Sequence, residues 1–159
     1  MRKGFTLVEL LIVIVVIGIL SAMVMMSSTE AVTSSRASNI VSNLRNVKAA
    51  ALALYSDSID KLIANPDIEI SIEDVQPYLQ SGKELPDIKN FYIKNFSGRW
   101  YVYYDLREAH TMERERLSEK IEGRAQSAGL LGAYNLENRI VNEETYSSSL
   151  HRYVVMRIR

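Results

Sequence analysis

The chain has 159 residues, which is long enough for one compact domain and a long additional element. Its 19 basic and 19 acidic side chains balance, so the global charge does not favour nucleic acid or an acidic substrate as a partner. The absence of cysteine excludes a disulfide framework, a thiolate metal site, a cysteine nucleophile and a lipidated cysteine anchor.

The first distinctive feature is a long apolar run near the N-terminus. Residues Phe5 to Met26 contain one ionisable side chain, Glu9. As a helix, these 22 residues span about 33 Å, which matches a hydrocarbon core of about 30 Å. The run is longer than the apolar part of a secretory signal peptide, and Ser27-Ser28-Thr29 offers no good cleavage pattern. A simple single-span anchor explains the length and the preceding Arg2 and Lys3. It does not explain Glu9, because a carboxylate costs about 2.5–3.5 kcal/mol at the centre of a bilayer.

The residues around this carboxylate form a motif. The sequence G-F-T-L-x-E-L-L at Gly4 to Leu11, followed by Ile17-Gly18-Ile19-Leu20, resembles the leader shared by type IV pilins and type II secretion pseudopilins. The resemblance implies that a membrane aspartic protease, the prepilin peptidase, cleaves after Gly4 and methylates the amine of Phe5. It also implies that Glu9 pairs with the Phe5 amine of a neighbouring subunit. Gly4, Phe5 and Glu9 are therefore the predicted processing and assembly residues.

Elementary physics agrees with this assignment. Cleavage would create a positive amine at the edge of an apolar helix, one turn from Glu9 and near the positive end of the helix dipole. Pairing with the opposite charge lowers the energetic cost of a charged group in lipid-like surroundings. Gly4 suits a cleavage site because a residue without a side chain lets a protease approach the backbone. The competing interpretation is that Glu9 only snorkels from near the end of the span.

The helix is expected to continue past the membrane. No proline or glycine interrupts the chain between Gly18 and Asp57, so we predict one helix of about 50 residues. A serine- and threonine-rich stretch, Ser27 to Ser38, precedes an amphipathic stripe. The stripe comprises Ala37, Ile40, Val41, Leu44, Val47, Ala51, Leu52 and Tyr55. The predicted division is residues 1–4 as leader, 5–26 as membrane and filament-core half of the helix, 27–57 as its amphipathic half, and 58–159 as a globular domain.

The globular part begins with loop signals between Ser58 and Asn90, where Ser71-x-x-Asp74 predicts a capping box on a short helix. The segments FYIKNF and WYVYYDL then predict a hairpin that turns at Ser97-Gly98. Its aromatic residues could form a stacking platform for nucleic acid or carbohydrate. We favour packing in the core and on the sheet, because aromatic residues are enriched in strands.

The C-terminal third predicts one more helix and a last strand. Thr111 to Gly129 has an apolar face at Leu117, Ile121, Ala125 and Ala128, with Gly129 as its cap, and Leu150 to Ile158 alternates as a strand. His110 and His151 are expected at the surface or an edge. Glu143 and Glu144 are adjacent near the C-terminus, but two neighbouring glutamates are weak evidence for a calcium site. We expect no metal, no cofactor and no enzymatic activity.

These observations predict an α+β, type IV pilin-like fold, in which the long helix packs on a small antiparallel sheet with an additional helix. The resemblance implies a filament subunit with four kinds of partner: other pilin or pseudopilin subunits, the prepilin peptidase, an inner-membrane assembly platform and membrane lipid before assembly. The expected location is the inner membrane, with the C-terminal domain outside the cytoplasm. A surface pilus, a secretion pseudopilus, a DNA-uptake pseudopilus and a membrane-anchored binding domain that does not polymerise remain alternatives.

Overall fold

The computed structural model describes residues 4–65, 70–79, 85, 87–96, 98–107, 111–136 and 143–158, with backbone only at residues 62, 63, 111 and 112. Its dominant element is one helix, α1, at Leu7–Asp57. This helix has 51 residues, so the prediction of one helix of about 50 residues is confirmed. It runs through Gly18 without interruption, because the sequence between Thr6 and Ser58 contains no proline to break it.

The two halves of α1 have opposite environments. From Leu7 to Val32 every residue is exposed, whereas the C-terminal half buries one face against the rest of the protein. The buried residues are Thr33, Ala37, Ile40, Val41, Leu44, Val47, Ala50 and Ala51. The predicted stripe is thus largely confirmed. The prediction that Leu52 belongs to it is wrong, because Leu52 is 39% exposed, and Ala50, which was not predicted, is buried. Tyr55 ends the stripe, with its ring edge-on to Trp100 at 5.6 Å between centroids.

The globular part is built around a four-stranded antiparallel sheet. Its strands are β1 at Phe91–Phe96, β2 at Arg99–Asp105, β3 at Leu130–Ala133 and β4 at Tyr153–Arg157, in the order β1-β2-β4-β3. The predicted hairpin and terminal strand are confirmed. Gly98 adopts φ +82° at the hairpin turn, a conformation that favours glycine, and its N–H donates to the Asn95 side chain at 3.0 Å. Ser97 lies outside the described residues.

The two faces of the sheet bury different residues. Trp100, Val102 and Tyr104 of β2 join the main core under α1, whereas Tyr101 and Tyr103 lie in a second cluster on the opposite face. The same alternation in β4 places Val154 and Met156 under α1 and Tyr153 and Val155 in the second cluster. The buried hairpin aromatics are therefore packing residues, and Tyr101 and Tyr103 are too deeply buried to offer a stacking platform.

The predicted second helix is present as α4 at Thr111–Ala128. Leu117, Ile121 and Ala125 are buried, Ala128 is partly buried, and Gly129 ends the helix at φ +64°. Four short helical segments lie earlier among the described residues. They are α2 at Ile59–Ala64, α3 at Ile72–Val75 with the predicted Ser71–Asp74 capping box, and 3₁₀ turns at Gln76–Tyr78 and Ile88–Asn90. The expectation of a loop from Ser58 is wrong over α2.

His151 is also a correction, because it is buried and not at the surface. Its ring lies directly against Gly132, where an added Cβ would approach to 2.2 Å, so the missing side chain at Gly132 makes room for the imidazole. The Nδ1 atom accepts a hydrogen bond from the Ser147 N–H at 3.0 Å. The other histidine, His110, lies outside the described residues.

Candidate processing and assembly site

The predicted cleavage bond lies just before the start of α1. Gly4 and Phe5 precede the helix and are exposed, with Phe5 exposed to 85%. A Cβ built on Gly4 meets no atom within 4 Å, and its φ is not in the left-handed region. The fold itself therefore does not require glycine at this position. If glycine is needed there, the requirement comes from a molecule that acts on the chain.

The first turn of α1 is closed by a capping box between Thr6 and Glu9. The Thr6 hydroxyl oxygen accepts from the Glu9 N–H at 3.2 Å. In return, Glu9 Oε2 accepts from the Thr6 N–H at 2.9 Å and from the Thr6 hydroxyl at 2.7 Å. These bonds satisfy N–H groups that would have no partner at a helix start. Glu9 Oε1 accepts no hydrogen bond from any described residue.

The segment after this cap is long and apolar enough to cross a membrane, and its apolar window is not buried within the protein. Glu9 is the only ionisable residue from Phe5 to Thr29. Exposed apolar side chains over five or six helical turns require a cover other than water. Lipid and the same segment of other subunits are the covers with matching chemistry.

Polar contacts between α1 and α4 hold the helix where it leaves the globular domain. Arg36 forms an ion pair with Glu113, and Lys120 lies 3.8 Å from Glu30. Arg124 donates to the Ser34 hydroxyl at 3.0 Å. Along the same part of α1, the hydroxyls of Ser28, Thr29 and Thr33 donate to backbone carbonyls four residues earlier, at 2.9–3.1 Å. These side-chain bonds lie within one unbroken helix, so the apolar half continues directly from the half that packs on the domain.

The structure brings together residues of other potential sites that the sequence did not link. Ser147, His151 and Glu144 are neighbours, with His151 Nε2 3.8 Å from Glu144. The imidazole accepts from the backbone N–H of Ser147, whereas the Ser147 hydroxyl pairs with Ser149 at 3.2 Å. This geometry lacks the hydroxyl-to-base bond of an activated serine. Ser147 to His151 form a turn in which only the histidine is buried.

Glu143 and Glu144, the acidic pair that gave weak evidence for a calcium site, contact other side chains of the protein. Glu143 accepts from the Tyr101 hydroxyl at 2.9 Å and pairs with Arg157 at 3.2 Å, while Glu144 lies beside His151. Across the described segments, no group of three or more Asp, Glu, His or Cys side chains is arranged to hold a metal ion.

An exposed apolar half-helix on a small α+β domain defines a pilin-like architecture. Residues 1–25 match the sequence family described as the prokaryotic N-terminal methylation motif, the signature of type IV pilins and pseudopilins. The motif indicates processing of the prepilin type and is typical of structural subunits. No curated protein and no solved structure matches the chain significantly.

Proposed function

We propose that the chain is a structural subunit of a type IV pilus-like filament, cleaved after Gly4, methylated at Phe5 and assembled through its N-terminal helix. The observation that supports this most strongly is the contrast within α1. The part up to Met26 is exposed and apolar, with Glu9 as its only charge. The C-terminal half buries one face against the globular domain. A subunit that exchanges lipid for other helices needs this division.

Gly4 supports the processing step. Because nothing in the fold occupies the space around it, glycine is explained by an external enzyme that binds the backbone closely. Cleavage would remove residues 1–4 and leave Phe5 with a new amine, directly before the Thr6 cap. We keep the predicted divisions as part of this proposal: 5–26 as the filament-core half, 27–57 as the amphipathic half and 58–159 as the outer domain.

Glu9 supports the assembly step, because its cap and an intermolecular ion pair are compatible. The capping box uses only Oε2, so Oε1 can accept from the Phe5 amine of a neighbouring subunit while the helix start stays intact. Pairing would relieve both charges in the apolar filament core. The subunit would wait in the inner membrane with its domain outside the cytoplasm, and an assembly platform would move it into the filament.

Fractionation of cells that carry an epitope-tagged chain tests the proposal. We expect the chain both in membranes and in filaments sheared from the cell or pulled down through the tag, with Phe5 as its first residue. A chain found only in membranes, with Met1 retained, would contradict the proposal and leave a simple anchored domain as the better description.

A further inference from the structure

Helix α4 contacts α1 just beyond the point where the exposed apolar run ends. Among the described polar contacts between the two helices, the one nearest the N-terminus of α1 joins Glu30 to Lys120, at 3.8 Å. Met26 ends the apolar run four residues before Glu30, which is about 6 Å along the helix axis. The headgroup layer on each side of a bilayer is about 5–8 Å thick. If residues 5–26 span a membrane, Lys120 therefore lies at the height of the lipid headgroups.

The charged residues of α4 are divided between two sides of the helix. One side carries three basic residues at intervals of four: Arg116, Lys120 and Arg124. A second side, rotated by about 130° at 100° per residue, carries three exposed acidic residues: Glu115, Glu119 and Glu122. The basic side includes the lysine that reaches Glu30, so it faces the end of the domain from which the apolar half of α1 leaves.

Two residues of this basic side have no carboxylate partner among the described residues. Arg124 donates to neutral groups, the Ser34 hydroxyl at 3.0 Å and the Lys120 carbonyl at 2.7 Å. Arg116 is exposed, and no described residue forms a hydrogen bond or an ion pair with it. The carboxylates that approach this side from α1 and from the start of α4 each have a cationic partner across the contact between the two helices. The basic side thus presents two uncompensated positive charges.

We propose that the basic side of α4 docks on anionic lipid headgroups while the subunit is in the membrane. Guanidinium and ammonium groups bind phosphate oxygens, and basic residues close to an anionic membrane surface are attracted to it. The contact is continuous with the apolar half of α1, so one end of the molecule meets both the hydrocarbon and the headgroups. The inference rests on the membrane insertion in the proposed function, but it requires neither cleavage nor polymerisation.

Fluorescence quenching of the full chain in nanodiscs tests this docking, because a chain without cysteine accepts a single label at a chosen position. Ser127→Cys places the label on the basic side, two turns after Lys120, and Gln126→Cys places it about 100° away on the acidic side. Both positions are exposed. The discs contain phosphatidylcholine with or without phosphatidylglycerol, and some headgroups carry a nitroxide quencher. With phosphatidylglycerol, we expect at least about twofold more quenching at position 127 than at position 126.

Arg116→Gln removes one uncompensated charge, so it should lower this quenching ratio by about half. Arg45→Gln is the matched control, because Arg45 is exposed on α1 about 28 Å beyond Met26, outside the headgroup layer. It should leave the ratio unchanged.

Three results with an inserted chain would overturn the proposal. They are equal quenching at the two positions, a ratio that does not respond to phosphatidylglycerol, and a ratio that Arg116→Gln leaves unchanged. Cross-linking of two chains in one disc through Ser127→Cys would also overturn it, since a neighbouring subunit would then occupy this side. A chain that fails to insert into the discs would overturn the proposed membrane insertion together with the docking.

Discussion

Glu9 and Thr6 form a reciprocal hydrogen-bonded pair that uses only one oxygen of the carboxylate. Glu9 Oε2 accepts from the Thr6 N–H at 2.9 Å and the Thr6 hydroxyl at 2.7 Å, and Oε1 is left without a bond to any described residue. The charged group in the apolar run is therefore held in a fixed position before any partner arrives. Under the proposed assembly, this preorganisation would reduce the entropy lost on pairing with the Phe5 amine of a neighbouring subunit.

Processing should depend on Gly4 alone among the glycines of α1 and its start. Gly4→Val is expected to block cleavage, because a branched side chain crowds the scissile bond, while the fold has room for it. Gly18→Ala is the control, since a Cβ there also meets nothing within 4 Å and alanine favours the helix. Mass spectrometry should find a mature chain that starts at methylated Phe5 in the wild type and Gly18→Ala, and Met1 retained in Gly4→Val. Normal cleavage of Gly4→Val would contradict the proposed role of Gly4.

Two glycine substitutions in the globular domain should change stability in opposite directions. Gly132→Ala places a Cβ 2.2 Å from the His151 ring, and such overpacking costs about 1–3 kcal/mol. Gly123→Ala lies on α4, where the new Cβ meets nothing, so it should add up to about 1 kcal/mol. Urea unfolding measures both. In a His151→Ala background the Gly132→Ala penalty should shrink; a penalty that stays the same would mean that the ring is not its cause.

Stability should fall at alkaline pH in part through Tyr146. Burial raises its pKa from about 10 in the unfolded chain to about 12 in the folded protein. The folded state then holds the proton more tightly, so this contribution is complete below pH 10 and is lost as the pH rises through 12. Burial shifts the pKa of Tyr103 upward as well. Thermal unfolding between pH 9 and 12 should show a shallower decline for Tyr146→Phe than for the wild type, whereas Tyr134→Phe, at an exposed site, should follow the wild type.

A truncated chain that starts at Thr29 should fold without the apolar half. The removed residues from Leu7 to Ser28 are all exposed, so their removal costs the domain no core contact, while the buried stripe from Thr33 onward is retained. We expect a soluble monomer in size-exclusion chromatography, with mixed helix and strand in circular dichroism. An aggregated product or a purely helical spectrum would contradict the division of the molecule at this point.

Local patterns predicted the fold well where each element carries its own signal. The helix α1 shows an uninterrupted stretch, the Ser71–Asp74 box marks a helix start, and the hairpin has its aromatic strands and Gly98 turn. The strand β3 was not predicted, because its four residues are too few to show a period and it exists through pairing with β4. The exposure of Leu52 and the helical conformation of α2 were not predicted either, because both depend on tertiary contacts.

The sequence predicts the candidate site only where its residues form one continuous motif. The motif identified Gly4, Phe5 and Glu9, and Glu9 three residues after Thr6 could have been recognised as a capping box. The buried position of His151 could not have been predicted, because it depends on Gly132 lying opposite it after folding.

The central claim is that the Glu9 charge docks the subunit, and incorporation of Glu9→Gln into filaments tests it most directly. Glutamine can keep the capping box with Thr6 but removes the charge. A charge left unpaired in a buried interface costs about 3–5 kcal/mol, so incorporation should fall about a hundredfold or more, while cleavage and membrane insertion persist.

Thr6→Ala is the control: it loses the hydroxyl cap, worth about 1 kcal/mol, but keeps the charge, so it should retain most incorporation. The measurement is the ratio of tagged mutant to wild-type subunit in sheared filaments of co-expressing cells. A strong loss in Glu9→Gln with near-normal Thr6→Ala is the predicted result. Incorporation of Glu9→Gln at the wild-type level would contradict it and favour a carboxylate that only caps the helix.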